Sequence, residues 1–206
     1  MSLAKVRRFL GLIDREQEAR MAAIHSRREE LFLLPDEALR AAAARVRANP
    51  DVVEVFALAA VVAERLLGLK MFEVQIAGAL ALQRGAIAEM QTGEGKTLAA
   101  VPAVICYALH GRGIHVLTAN DYLARRDAAW MGGIYQWFGL SVAHIAQHMS
   151  AWHLHPVHML RIHLYYFAAS LSRGMRGNKI AVPTGKNNRV AFLPLVYRQA
   201  NTARIG

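Results

Sequence analysis

The 206-residue chain has a single cysteine, Cys106, so it cannot close an internal disulfide. That thiol sits in the apolar stretch VPAVICYAL, where a buried, inert sulfhydryl in a reducing compartment is expected. Long hydrophobic runs are missing too. The best candidate, Val52 to Leu67, is broken by Glu54, Glu64 and Arg65 and falls short of the roughly 18 apolar residues a membrane span requires. Charged residues near the N-terminus stand where a signal peptide would need an apolar core, which argues against export. Acidic residues are absent from one part only. Residues 1–127 hold 17 Lys and Arg against all 15 Asp and Glu, while residues 128–206 hold eight Lys and Arg and no acid. The formal charge of +10 therefore belongs mainly to the C-terminal stretch, and is not the evenly basic surface of a nucleic-acid binder. A hydrophobic share of 54% excludes wholesale disorder, and the length suits one domain with appendages.

What is present begins as helix. From Val6 to about Arg47 the chain is rich in Ala, Leu, Arg and Glu, with Gly11 and Pro35 as the main breaks. Pro35 followed by Asp36 and Glu37 is a helix start, since both acids suit the positive end of the helix dipole. Pro50 punctuates, and Val52 to Leu67 reads as a second amphipathic or buried helix ending near Gly68. After Met71 the pattern changes to a helix from about Glu73 to Leu82, then Gly85, then the short apolar run AIAEM at 86–90, which reads as a strand. A glycine loop and another helix follow. The run Ile114 to Thr118 reads as a buried strand, DYLARRDAAWMGGIYQWFG as a helix with a glycine stop, and Leu140 to Ile145 as a third strand. Strands alternating with helices over short connections predict an α/β fold with a parallel sheet. Beyond about Ala146 this alternation is not legible.

The segment Met90 to Thr97, MQTGEGKT, ends as a phosphate-holding loop does. Gly93 and Gly95 let the backbone turn its amides toward anionic oxygens, Lys96 can reach the β and γ phosphates, and Thr97 can place its hydroxyl on Mg2+. A helix starting near Lys96 adds its positive end. The general pattern asks for a further glycine where this chain has Met90. A glycine turn between strand and helix that binds nothing is the alternative.

The run TGEGKT at 92–97 after AEM, KMFEVQIAGAL at 70–80 and HVLTANDYLARRDAAWM at 115–131 resemble the SecA family of ATPase motors for bacterial protein export, over roughly residues 30–145. In that family the first loop glycine is also absent. The resemblance implies a RecA-like, helicase-type nucleotide-binding fold, here an incomplete one, behind an N-terminal helical segment. It implies ATP and Mg2+ as cofactors, with Gln75 reading the adenine edge, Phe72 nearby, and Gly93, Glu94, Gly95, Lys96 and Thr97 around the phosphates. A glutamine amide has the donor and acceptor that adenine N7 and N6 require; taken alone, Gln75 reads as a surface residue on a helix. Asn120, Asp121, Tyr122, Arg125 and Arg126 match the motif after the second strand, which in such motors faces the substrate path or couples domains; taken singly, the two arginines are a solvated helix face. The implied partners are a SecYEG-type channel, preproteins and anionic lipid, with a homodimer open to the intact family and no specific nucleic acid. The implied location is cytoplasmic, peripheral on the inner face of the membrane.

The expected organisation is a helical segment over 1–70, a partial nucleotide-binding domain over 71–145, and a divergent basic tail over 146–206. Hydrolysis by such a motor needs a later acidic pair and an arginine from a second domain. With no acid after Asp127, this chain is expected to bind nucleotide without completing the hydrolytic machinery. His153, His155, His158 and His163 suggest zinc or nickel by residue type, but their spacing fits no closed site. Tyr165 and Tyr166 among arginines allow a second function, a non-catalytic module whose basic tail associates with anionic lipid or nucleic acid. The abrupt loss of acids where the resemblance stops suggests a frameshift near Ala146. Translating the gene downstream of that point in the other two frames should restore the family's pattern, and its absence from all frames would remove the idea.

Overall fold

A computed structural model describes residues 15–88, 90, 93–110, 114–118 and 120–144, together with the backbone of 145 and 161–166. The helical part is built by local signals that agree with packing. Helix α1, Arg15–Phe32, buries a stripe of Gln17, Ile24, Arg28 and Leu31, spaced to fall on one face. Helix α2, Asp36–Ala48, starts after Pro35, carries both acids in its first turn, and buries Leu39, Ala42, Ala43 and Val46. Helix α3, Val52–Leu67, is the central element. The Asp51 side chain accepts the Glu54 N–H as an N-cap, and the buried run from Val55 to Ala63 is covered all round. Polar straps tie the three helices together at their solvent edges. The Arg27 guanidinium makes a two-pronged contact with Glu54, at 2.6 and 2.8 Å. Arg65, near the end of α3, donates to the carbonyls of Phe32 and Leu34 and to the Asp36 carboxylate, satisfying carbonyls that the end of α1 leaves unpaired.

Helix α4, Glu73–Gln83, and helix α5, Lys96–Leu109, pack against each other and against this layer. The Tyr107 hydroxyl of α5 donates to the Gln83 carbonyl at 2.7 Å, with Leu82 O at 3.2 Å, and so caps the end of α4. Strand β1, Ile114–Thr118, helix α6, Asp121–Trp137, and strand β2, Ser141–Ile145, follow within a residue of the sequence pattern. A third strand, β3, Arg161–Tyr166, lies between β1 and β2 and runs parallel to both, with Ile114 opposite Ile162 and Val142 opposite the same residue. The order β1–β3–β2 places a crossover through α6 on one face. Arg40 of α2 sits over the Trp137 ring at 4.2 Å, joining the helical layer to the end of α6.

Two sequence readings are corrected. The run AIAEM at 86–90 is not a strand among its described residues. Its first residue completes the end of α4 instead: Ala86 N–H donates to Ala81 O and Gly85 N–H to Leu82 O, with Gly85 at φ +78°, the paired closure that ends many helices. The stretch after Ala146, which showed no alternation, contains β3. It occupies the central position of the sheet, and both of its pairings are with strands distant in the chain, which no local pattern of strand and helix announces. Cys106 is buried as expected, and burial pushes its thiol up to about 12, so it stays protonated and unreactive at neutral pH. Among the described residues no helix is long and apolar enough to cross a membrane.

Because Phe56, in the second turn of α3, is 1% exposed, Phe56→Ala should cost about 3–5 kcal/mol of stability, whereas Asp51→Ala, losing only the cap, should cost about 1 kcal/mol. Urea denaturation of both variants checks the ranking.

Candidate nucleotide site

The site forms where the start of α4 meets the start of α5. Gln75 is the third residue of α4, and its side chain folds back so that Oε1 accepts the Phe72 N–H at 3.0 Å, half of a capping box. The same amide's Nε2 donates to the Glu94 carbonyl at 2.9 Å. Gln75 is therefore buried, 5% exposed, and is not the surface residue that its helical position alone would allow. Each contact uses one of two lone pairs and one of two N–H groups, so the amide retains the capacity for one more acceptor and one more donor contact. Phe72, whose backbone is fixed by this bond, leaves its ring 68% exposed, a flat apolar face beside a polar edge.

Gly93 and Gly95 both take positive φ, at +91° and +73°. At Gly95, the residue capping α5, a Cβ would overlap the Gln75 amide nitrogen, so glycine is required there twice: for the left-handed backbone and for the approach of Gln75. Nothing stands within 4 Å of where a Cβ would sit on Gly93. Lys96 and Thr97 open α5; Lys96 is 8% exposed and Thr97 half-buried. Met90, which occupies the place of the generic loop's first glycine, is buried against α4, its Sδ 3.1 Å from where a Cβ on Gly78 would sit. A small residue at 78 thus makes room for the larger one at 90, and the loop's base is pinned by apolar packing. Thr92 lies outside the described residues.

The remaining motif residues gather at the start of α6. Asn120 is its N-cap, its side chain accepting the Leu123 N–H at 2.8 Å. Tyr122 is 70% exposed and Arg125 exposed. Arg126 turns to the adjacent Asp127 carboxylate, at 2.8 and 2.6 Å. Burial pushes the Asp127 carboxyl above the usual carboxylate range, and the Arg126 contact opposes that shift. His153, His155 and His158 lie outside the described residues, and His163 falls in β3, described by its backbone alone. Among the described residues no three His, Cys, Asp or Glu side chains come together as a metal site would need. Sequence reasoning missed Arg28. It is buried in α1, donates to the Met71 carbonyl at 3.0 Å and pairs with Glu64 at 2.6 Å, directly behind the Phe72–Gln75 turn. Its position on the buried stripe of α1 was the available signal.

Comparison with known proteins places the chain in a family. The family model for the SecA DEAD-like domain matches residues 8–164. The chain is 46% identical over 127 residues to the protein translocase subunit SecA of Oleidesulfovibrio alaskensis, covering 58% of this chain and 15% of that protein. It is 57% identical over 96 residues to the protein of the same name from Rubrobacter xylanophilus, covering 47% and 11%, and 42% identical over 137 residues to that of Thermotoga neapolitana, covering 66% and 16%. The chain thus spans about a sixth or less of the length of these relatives.

The two loop glycines make different demands, which gives a comparative test. Gly93→Ala meets only the backbone cost of positive φ, about 1 kcal/mol, while Gly95→Ala must also displace Gln75 and should cost about 1–3 kcal/mol more. Thermal denaturation of both variants reads the difference.

Proposed function

The chain belongs to the SecA DEAD-like domain family, and from that premise we propose that it is the ATP-binding part of a preprotein translocase motor. The observation that carries this reading is the Gln75 amide, which joins the turn at Phe72 to the phosphate loop at Glu94 and so brings a base-reading group and an anion-holding loop into one unit. In the proposed complex adenine lies against Phe72 and the Gln75 edge. The backbone amides of Gly93, Glu94 and Gly95 surround the phosphates, Lys96 reaches the β and γ groups, and the positive end of α5 faces them. Thr97, second in α5, has the hydroxyl and the position to hold Mg2+, which would supply positive charge to offset that of the phosphates.

The segment over 1–70, helical through Leu67 among its described residues from Arg15, then serves as a support and 71–145 as a partial RecA-like domain, to which β3 adds a strand. The partners proposed from the family are a SecYEG-type channel and preproteins, with peripheral association at the inner face of the membrane through anionic lipid and a homodimer as the assembly of the intact motor. In this chain we propose binding without turnover, since residues 128–206 supply no carboxylate to polarise water.

Titration of Mg-ATP into the full 206-residue chain by calorimetry should give saturable binding. Lys96→Ala, which removes a charge-assisted contact, should weaken it by about ten- to a hundredfold. Steady phosphate release should be negligible. A wild-type chain that never saturates would refute the site, and sustained release abolished by Lys96→Ala would refute the loss of turnover.

A further inference from the structure

The Met71 carbonyl that receives Arg28 and the Phe72 N–H that Gln75 receives are the two ends of one peptide unit. The same holds at the other end of the Gln75 side chain: the Glu94 carbonyl it binds shares its peptide unit with the Gly95 N–H. The bonds therefore form a directed series. The Arg28 guanidinium donates to the 71–72 peptide at 3.0 Å, that peptide donates to the Gln75 side-chain amide at 3.0 Å, and the Gln75 amide donates to the 94–95 peptide at 2.9 Å. Every amide accepts at its oxygen and donates at its nitrogen in the same sense. Amides aligned in this way polarise one another, and a fixed cation at the head of the series strengthens the effect. Because the peptide bond is trans, holding the Glu94 carbonyl toward Gln75 turns the Gly95 N–H away from it, as a donor at the end of the line.

We infer that Arg28 is a positioning residue for phosphate binding, acting through the 71–72 peptide and Gln75 on the Gly95 N–H. The inference rests on the nucleotide site proposed above and adds a residue some way outside the loop. Three observations set Arg28 apart from an ordinary ion pair. It is 7% exposed, so its hydrogen bond to the Met71 carbonyl meets little competition from solvent. Glu64 holds one arm at 2.6 Å, which fixes the other arm on Met71 O. The series reaches the loop at the peptide whose N–H belongs to Gly95, the glycine that Gln75 approaches too closely for any side chain. Arg28 lies on α1, so the helical segment contributes to phosphate binding without touching the nucleotide.

The test compares Mg-ATP with adenosine, which lacks the phosphates, by calorimetry on the full chain. Arg28→Ala should weaken Mg-ATP by about five- to tenfold while leaving adenosine within about twofold, and Arg28→Lys, which keeps a cation and a donor, should recover most of the loss. Circular dichroism melts run in parallel; if Arg28→Ala loses its fold, Arg28→Gln, keeping a donor but no charge, should show the same selective loss in smaller measure. Equal losses for Mg-ATP and adenosine, or no loss of either beside a wild type that binds, overturn the inference and leave the site standing. A wild type that binds neither overturns the site itself, and the inference with it.

Discussion

One side-chain amide carries the organisation of this molecule's working end. Gln75 takes a backbone N–H from its own helix start and gives an N–H to the loop nineteen residues on, and its side chain is buried between the two. Buried hydrogen bonds of this kind contribute about 1 kcal/mol each when made and cost more when one partner is stranded. Their larger effect here is geometric. They fix the Phe72 backbone, the Glu94–Gly95 peptide and the start of α5 relative to one another before any ligand arrives, which is where a preorganised site saves binding free energy.

The helical layer is what makes that amide's position reproducible. α3 is buried all round from Val55 to Ala63, and the contacts crossing from it to α1 are ionic at the rim and apolar within. The Arg28–Glu64 pair is the deepest of them, with Arg28 nearly sealed and Glu64 about a quarter exposed. A buried ion pair gives little net stability, because desolvation offsets attraction, but removing one partner is costly. Its use is better understood as direction: it holds one guanidinium arm so that the other can meet a specific carbonyl. The contact of Met90 with α4 beside Gly78 plays the same role from the opposite side, pinning the base of the loop by packing.

Much of this was legible in the residues. Helix periodicity, Pro35 with its two following acids, and the break at Pro50 located α2 and α3, and Ile114 to Thr118 announced β1 by its β-branched and apolar run. The loop could be read because its glycines, lysine and threonine each have a distinct physical duty. AIAEM misled because a short apolar run has the same composition whether it pairs in a sheet or wraps the end of a helix, and the deciding bond, Ala86 to Ala81, depends on the turn at Gly85. β3 was hidden for a related reason: RIHLYY draws its partners from β1 and β2, far off in sequence, and carries no turn signals of its own. Gln75 was found through resemblance, but its bond to Glu94 is a long-range contact that no spacing rule announces. Arg28 was invisible as a functional residue, since an arginine on a helix is ordinarily read as a solvated charge.

The central claim is that Gln75 holds the phosphate loop as well as facing the base, and inorganic triphosphate separates the two duties because it has no base to recognise. The direct measurement is the affinity of Mg-triphosphate for the wild-type chain and for Gln75→Ala. If Gln75 orients the Glu94–Gly95 peptide, the variant binds triphosphate several-fold more weakly, by about the worth of one buried hydrogen bond. Undiminished triphosphate affinity in the variant, alongside weakened ATP binding, would confine Gln75 to the base and contradict the account.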